Sequence, residues 1–218
     1  MSRATMTLWE MIRYIASGLA ITFELVPLCI LSTIFLGSLL GILQYRRVKI
    51  VSKLIDLYVV AMRGVPPLVV MYLLYCSTYM RSFIIAFVAL TVYHTAYVAE
   101  IVRGGFEAIP KGQMQAGESL GVGYMKIMVK IYIPQVVLHL VPSLCGQYIL
   151  LVKDTTLVSV VGVQDIMWRA RQIMEHSFQP VTVYILIGVM FYILCSLIEL
   201  LGKTVEHRLD RNRSIYKL

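Results

Sequence analysis

The sequence predicts an all-α integral membrane protein of five transmembrane helices, and three observations carry that expectation. Hydrophobic residues make up 59% of the chain and charged residues only 15%, against about 25% charged in an ordinary soluble domain. The apolar residues gather in blocks, each close to the roughly 20 residues an α-helix needs to cross the hydrocarbon core. Lysine and arginine fall unevenly between the blocks, the pattern of basic loops kept on the cytoplasmic side of a membrane.

The blocks give spans at 15–43, 54–78, 83–102, 134–152 and 181–201. The first exceeds the minimum length, an excess that tilt or an interfacial turn absorbs. Within it, Gly37 and Gly41 stand four apart, a spacing at which a second helix can approach closely. One side collects Arg46, Arg47, Lys49 and Lys53, then Arg103, Lys111, Lys126 and Lys130, then Lys203, Arg208, Arg211, Arg213 and Lys217. The other side holds Arg3, Arg13, Arg81, Lys153, Arg169 and Arg171. The richer side is cytoplasmic, which puts the N-terminus outside and the C-terminus inside. The connections are too short for an added soluble domain, so residues 1–218 read as one membrane domain with its core at about 18–205.

Other classes are excluded on similar grounds. The net charge of +8 accompanies no nucleic-acid-binding motif, and basic cytoplasmic loops account for it. Cys29, Cys76, Cys145 and Cys195 each stand alone in an apolar block, without the paired spacing of a zinc site or a disulfide framework. The first apolar block is too long for a signal peptide core, and no small-residue cleavage site ends it.

Two connections are longer than turns. The cytoplasmic one, 103–133, opens on Gly104–Gly105 and carries Pro110, Gly112, Gly117, Gly121 and Gly123, residues that punctuate it into short helices. Its second half places Tyr124, Met128 and Ile131 on one helical face and Lys126 and Lys130 on another, as in a segment lying along a surface. The outer connection, 153–180, carries Trp168 where an interfacial aromatic would sit.

From Gln115 the cytoplasmic connection reads Q-A-G-E-S-L-G, then nine residues, then I-Y-I-P. This resembles the loop signature of ABC importer membrane subunits, E-A-A, three residues, G, nine residues, I-x-L-P, with Ala116, Gly121, Ile131 and Pro134 on its fixed positions. The signature's Glu is Gln115 here and its second Ala is Gly117. Upstream, A-Y-V-A-E-I-V-R-G-G-F-E-A-I-P-K-G-Q (96–113) is similar to the segment marking the polar-amino-acid branch of those importers. R-G-V-P-P-L (63–68) and K-D-T-T-L-V-S-V-V-G-V (153–163) agree with it.

The resemblance implies the type I ABC importer permease fold, in the cytoplasmic membrane of a bacterium. It implies two cytoplasmic ATPase subunits as partners, an extracytoplasmic solute-binding protein, and a polar amino acid as cargo. Gln113, Gln115, Ala116, Gly117, Glu118 and Gly121 would form the coupling segment. A short helix with small residues on one face can dock in a groove of a motor protein, and Gly121 lets the chain turn back. The chain contains no G-x-x-x-x-G-K-[ST] sequence, so ATP and magnesium would be bound by the partners, with no cofactor and no catalytic chemistry in this chain. Five helices are too few to enclose a pathway alone, so a second permease subunit, identical or a sister, is expected.

An ionisable side chain at mid-membrane costs about 2.5–3.5 kcal/mol, so each needs a reason. Glu24, Arg63, His94 and Glu100 lie within spans, and Asp154 and Thr155 follow the fourth. Either they line a polar path for a zwitterionic solute, or they pair as structural glue. Arg63 and Glu100 differ in depth by about 7 Å at 1.5 Å per residue, which an extended arginine can close. The competing classes are a secondary transporter, which would show inverted repeats, and a membrane enzyme, which would carry a motif such as H-E-x-x-H or G-x-S-x-G. Neither signal occurs.

Overall fold

The computed structural model describes residues 7–177 and 179–213, and all of its regular structure is helical. Arg3 and Lys217, which enter the charge asymmetry above, lie outside the described residues.

The first span begins earlier than its hydropathy suggests. Thr7 caps α1 (Leu8–Ala16) through a capping box: its hydroxyl accepts from the Glu10 amide at 3.4 Å while the Glu10 carboxylate accepts from the Thr7 amide at 2.8 Å. A turn at Ser17–Gly18 leads into α2 (Leu19–Tyr45). A Cβ at Gly18 would stand 2.5 Å from the Ile166 amide nitrogen, so only glycine lets this turn approach that backbone.

The second span is not one helix. α3 (Lys49–Gly64) ends before Pro66, and α4 (Pro67–Ser77) starts after it. Pro66 holds extended backbone, φ −61° and ψ 141°, and Pro67 takes the first turn of α4. Neither proline can donate to an α3 helix that continued, and each biases the preceding residue away from helix. Leu8–Tyr45, Ser82–Glu107, Tyr124–Val161 and Pro180–Arg208 are each long and apolar enough to cross a membrane, and α3 with α4 forms a fifth span when the broken pair is counted as one.

α5 (Ser82–Glu107) continues through Gly104–Gly105 instead of ending there. Gly105 serves a close approach: a Cβ on it would meet Leu140 at 2.5 Å. α6 (Lys111–Ser119) is followed by α7 (Tyr124–Ile127), a π-helical turn over Met128–Tyr132, and α8 (Ile133–Asp154). The π turn corrects the face assigned from a 3.6-residue period. The buried residues are Ile127, Tyr132 and Val136, not Tyr124, Met128 and Ile131. The step from Ile127 to Tyr132 is five residues, the spacing of an i to i+5 turn. After α8 come a 3₁₀ segment (Thr155–Val161), α9 (Ile166–Ser177) and α10 (Pro180–Arg213). The connection at 153–180 is therefore largely helical.

The chain divides into two compact units, and the division falls within α2, α5, α8 and α10. The first takes the chain to Ser32, with Val65–Tyr93 and Ile149–Leu197. In it α1 packs on α9, burying Met11, Ile15, Ile166 and Ile173. The second takes Thr33–Gly64, His94–Tyr148 and the chain from Ile198. Its centre is Ile55, Val59, Ala96 and Ala99, with Leu40 and Leu43 packed on them. Here α5 crosses α2 at Gly37 and Gly41, where an added Cβ would stand 2.5 Å from Val98 Cγ1 and from the Ala99 carbonyl oxygen respectively. Along α10, Val183, Ile187 and Phe191 are buried while Tyr184, Ile185, Tyr192 and Ile193 are exposed apolar residues. That face suits lipid, not water.

Candidate functional site

Two features of the second unit carry the chemistry. The first is the α6 hairpin. Its exit is a Schellman motif: the Val122 amide donates to the Gly117 carbonyl at 3.0 Å and the Gly121 amide to the Glu118 carbonyl at 2.9 Å. Gly121 sits at φ +72° with open space around it, so the backbone conformation, not crowding, demands glycine. Two contacts fix α6 on its neighbours. The Gln113 and Gln135 side-chain amides exchange hydrogen bonds of 3.1 and 2.8 Å, and Gln135 also donates to the Ile131 carbonyl at 2.9 Å. Gly117 is buried, and a Cβ on it would stand 2.8 Å from Ile127. It therefore belongs to the inner face and not to the outward small face expected from the sequence. Gln115, Ala116 and Glu118 project outward, and Leu120 is 82% exposed at the tip.

The second feature is a charged cluster between α2, α3 and α5. The Arg103 guanidinium holds Glu100 with two bonds, 2.6 and 3.1 Å, and Glu107 with one of 2.6 Å. Arg63 lies 3.8 Å from Glu100, and its guanidinium carbon stands 5.7 Å from the centre of the Tyr97 ring. The sequence anticipated Arg63 near Glu100, but Arg103 is the closer partner. α5 makes this possible by continuing past Val102, so that residues 100, 103 and 107 share one face. The cluster walls a cavity of about 490 Å³ within this unit, whose lining also includes Gln44, Arg47 and Asp56.

The remaining sequence candidates are dispersed. His94 is 1% exposed, and its Nδ1 lies 2.7 Å from the Gln147 amide nitrogen of α8. Glu24 is exposed on α2, among the exposed apolar residues Phe23, Leu28 and Leu31. Asp154 ends α8, and Thr155 is buried with its hydroxyl donating to the Val152 carbonyl at 2.7 Å.

Sequence reasoning missed Gln135, Gln147 and Gln44, whose amides pair with residues far along the chain. It also missed Asp165, which caps α9 by accepting from the Trp168 amide at 2.9 Å. The signal was available there, since Asp directly before a helical run is a capping pattern. Asp165 is 1% exposed, and burial pushes its carboxyl up to about 6, against the pull of the backbone amides of Trp168 and Met167. Among the described residues, no group of His, Cys, Asp and Glu is arranged to hold a metal ion.

Residues 33–211 match the family described as "Binding-protein-dependent transport system inner membrane component". The chain is 31% identical over 207 residues to the arginine transport system permease protein ArtQ of Bacillus subtilis (strain 168), covering 92% of this chain and 94% of that one. It is 30% identical over 195 residues to the L-cystine transport system permease protein TcyB of the same organism, covering 85% and 83%. Its fold matches the solved structure described as "Crystal structure of an amino acid ABC transporter with histidines" with a TM-score of 0.85 and 27% identity, over 94% of this chain and 99% of that one.

Proposed function

The chain belongs to the family of inner membrane components of binding-protein-dependent transport systems, and on that premise we propose how its geometry serves transport. It is the permease subunit of an amino-acid ABC importer. It spans a bacterial cytoplasmic membrane with its N-terminus outside and the α6 hairpin in the cytoplasm. A second permease subunit, two ATPase subunits and an extracytoplasmic solute-binding protein complete the machine, and the ATPases bind ATP and magnesium.

The observation that carries the mechanism is the fixed seating of α6. A coupling element must move as a body, without absorbing motion by local unfolding. The Gln113–Gln135 pair, the Gly117–Ile127 contact and the Schellman turn at Gly121 resist such unfolding. Gln115, Ala116, Glu118 and Leu120 face outward for the ATPase groove. Nucleotide binding closes the ATPase pair, and α6 passes that motion into α5 and α8, giving alternating access. Arg63 and Glu100 line the polar path. Glu24, whose ionised carboxylate is too costly to leave in hydrocarbon, faces the second permease subunit or the path. His94 fixes Gln147, while Asp154 and Thr155 shape the outer mouth.

Reconstitution of the permease with its ATPase and binding protein in liposomes tests the reading against a panel of amino acids. ATP-dependent uptake of at least one of them is expected. Uptake by the permease alone, driven by an ion gradient without ATP, would overturn it.

A further inference from the structure

α6 straddles an unusual piece of backbone. Beyond it, at the start of α8, Gln135 is clasped to Gln113. Before it, Ile127 of α7 fills the space that Gly117 leaves open. Between these two anchors lies the π turn over Met128–Tyr132, in which the Ile133 amide donates to the Met128 carbonyl five residues back. Pro134 gives the turn a physical cause. It has no N–H to donate, and in a continuous α-helix its ring would press on the Lys130 carbonyl. Widening the turn by one residue relieves that contact. The Gln135 side-chain nitrogen then bridges the two parts, donating to the Gln113 side chain at 2.8 Å and to the Ile131 carbonyl at 2.9 Å. A displacement of α6 therefore pulls directly on the end of the π turn.

The same residues fit a second register. Ile127, Tyr132 and Val136 are buried in the structure. In an uninterrupted α-helix, at about 100° per residue, Ile127 would stand about 140° from Tyr132 and Met128 only about 40° from it. Met128 is half-buried, and Tyr124, Met128 and Ile131 are the apolar residues that a 3.6-residue period brings to one face. Loss of the extra residue therefore exchanges one apolar side chain for another beneath α6, and no charge enters. Gly117 presents no side chain to either, and unbranched Met128 adapts to a space shaped by isoleucine. The π register avoids the Pro134 contact and buries Ile127. The α register recovers bonds from i to i−4 and buries Met128. Two packings of one segment with opposing costs are the material of a switch.

We propose that the π turn is a register switch in the coupling path. As the α6 hairpin swings with the ATPases, pivoting on the Gln113–Gln135 clasp, Met128–Tyr132 passes from π to α and Met128 replaces Ile127 against Gly117. The switch rests on the transport reading and deepens it, since it supplies the joint at which a rigid α6 moves relative to α8.

The test uses the permease–ATPase complex in liposomes, with the binding protein supplied for uptake. The four native cysteines are replaced and one is returned as Ile127→Cys or Met128→Cys. Maleimide labelling is compared between the nucleotide-free and the vanadate-trapped complex. Without nucleotide, position 127 is expected to label about tenfold more slowly than position 128, since thiol reactivity follows exposure. Trapping is expected to reverse that order. Pro134→Ala removes the ring that opposes the α register, so it is expected to show the reversed order without nucleotide while ATP hydrolysis is retained. An order unchanged by trapping, in a complex that still performs ATP-driven uptake, overturns the switch and leaves the transport reading standing. Absence of ATP-driven uptake in the parent complex strikes the transport reading, and the switch with it. Hydrogen exchange of the unsubstituted complex gives a reading that does not depend on the cysteine variants assembling. Residues 127–135 are expected to change protection about tenfold between the two states while the middle of α8 does not, and equal protection there overturns the switch.

Discussion

Gln113 of α6 and Gln135 of α8 donate to one another, closing a two-bond clasp between residues 22 apart in the chain. Each amide uses its oxygen as acceptor and its nitrogen as donor, an arrangement that no charged or apolar pair reproduces. The clasp ties the outward-facing hairpin to the helix that follows the π turn.

Removing the clasp should loosen transmission before it loosens the fold. Gln135→Leu leaves Gln113 half-buried and unpaired, with an expected loss of about 1 kcal/mol. ATP-driven uptake is expected to fall more than ATP hydrolysis in the same complex, as measured by paired assays. Equal falls in both would mean that the clasp only supports folding.

Gly121 tests the turn by its backbone alone. The site has room for a side chain, so a penalty there reports φ +72° and not a clash. Gly121→Val is expected to destabilise by about 1–2 kcal/mol, and Gly121→Asn, which tolerates the left-handed region, by less. Thermal unfolding in detergent gives the order. Gly117 behaves differently: Gly117→Leu collides with Ile127 and is expected to displace α6 even though its backbone is ordinary.

Gly37 and Gly41 mark where α5 presses on α2. Gly37→Leu forces a side chain into the space held by Val98 and is expected to cost about 1–3 kcal/mol, read as a lower melting temperature. Pairing it with Val98→Ala should recover part of the loss. No recovery would mean that the two helices do not meet there in the membrane.

These positions also show which parts of the molecule were legible in the sequence. Hydrophobic length located the spans, because a helix in hydrocarbon must satisfy its backbone within itself. Gly37 and Gly41 announced a close helix crossing through their spacing. The π turn was invisible, since one extra residue per turn at Met128–Tyr132 shifts the buried face from Ile131 to Tyr132 without altering composition. The break at Pro66 was written in the sequence but hidden by apolar residues on both sides. The amide pairs were not legible, because Gln113–Gln135, Gln44–Asp56 and His94–Gln147 join positions that only tertiary packing brings together. Gly117 was misassigned because small size alone does not tell an outer face from an inner one.

Asp165 gives the fold a dependence on pH. Its carboxyl is raised from the ordinary 3.8 to about 6, chiefly by burial, so the folded state holds the proton more tightly than the unfolded chain does. The corresponding stability, roughly 3 kcal/mol, is fully present below pH 3.8 and is lost as pH rises through about 6. Hydrogen exchange over α9, corrected for intrinsic rates, is expected to show more protection at pH 5 than at pH 7.5. Asp165→Asn keeps a capping oxygen but cannot ionise, and its protection is expected to be the same at both values. A parent protein equally protected at both would contradict the assignment.

In the proposed mechanism the α6 hairpin faces the cytoplasm and seats in the ATPase. A cysteine placed at Gln115, with the four native cysteines replaced by serine or alanine, tests it in one experiment. A membrane-impermeant thiol reagent is expected to leave Gln115→Cys unmodified in intact cells and to modify it in inverted vesicles stripped of the ATPase. A bound ATPase is expected to protect it. Modification from outside intact cells, or modification in inverted vesicles that bound ATPase does not slow, would rule out a cytoplasmic hairpin seated in the ATPase.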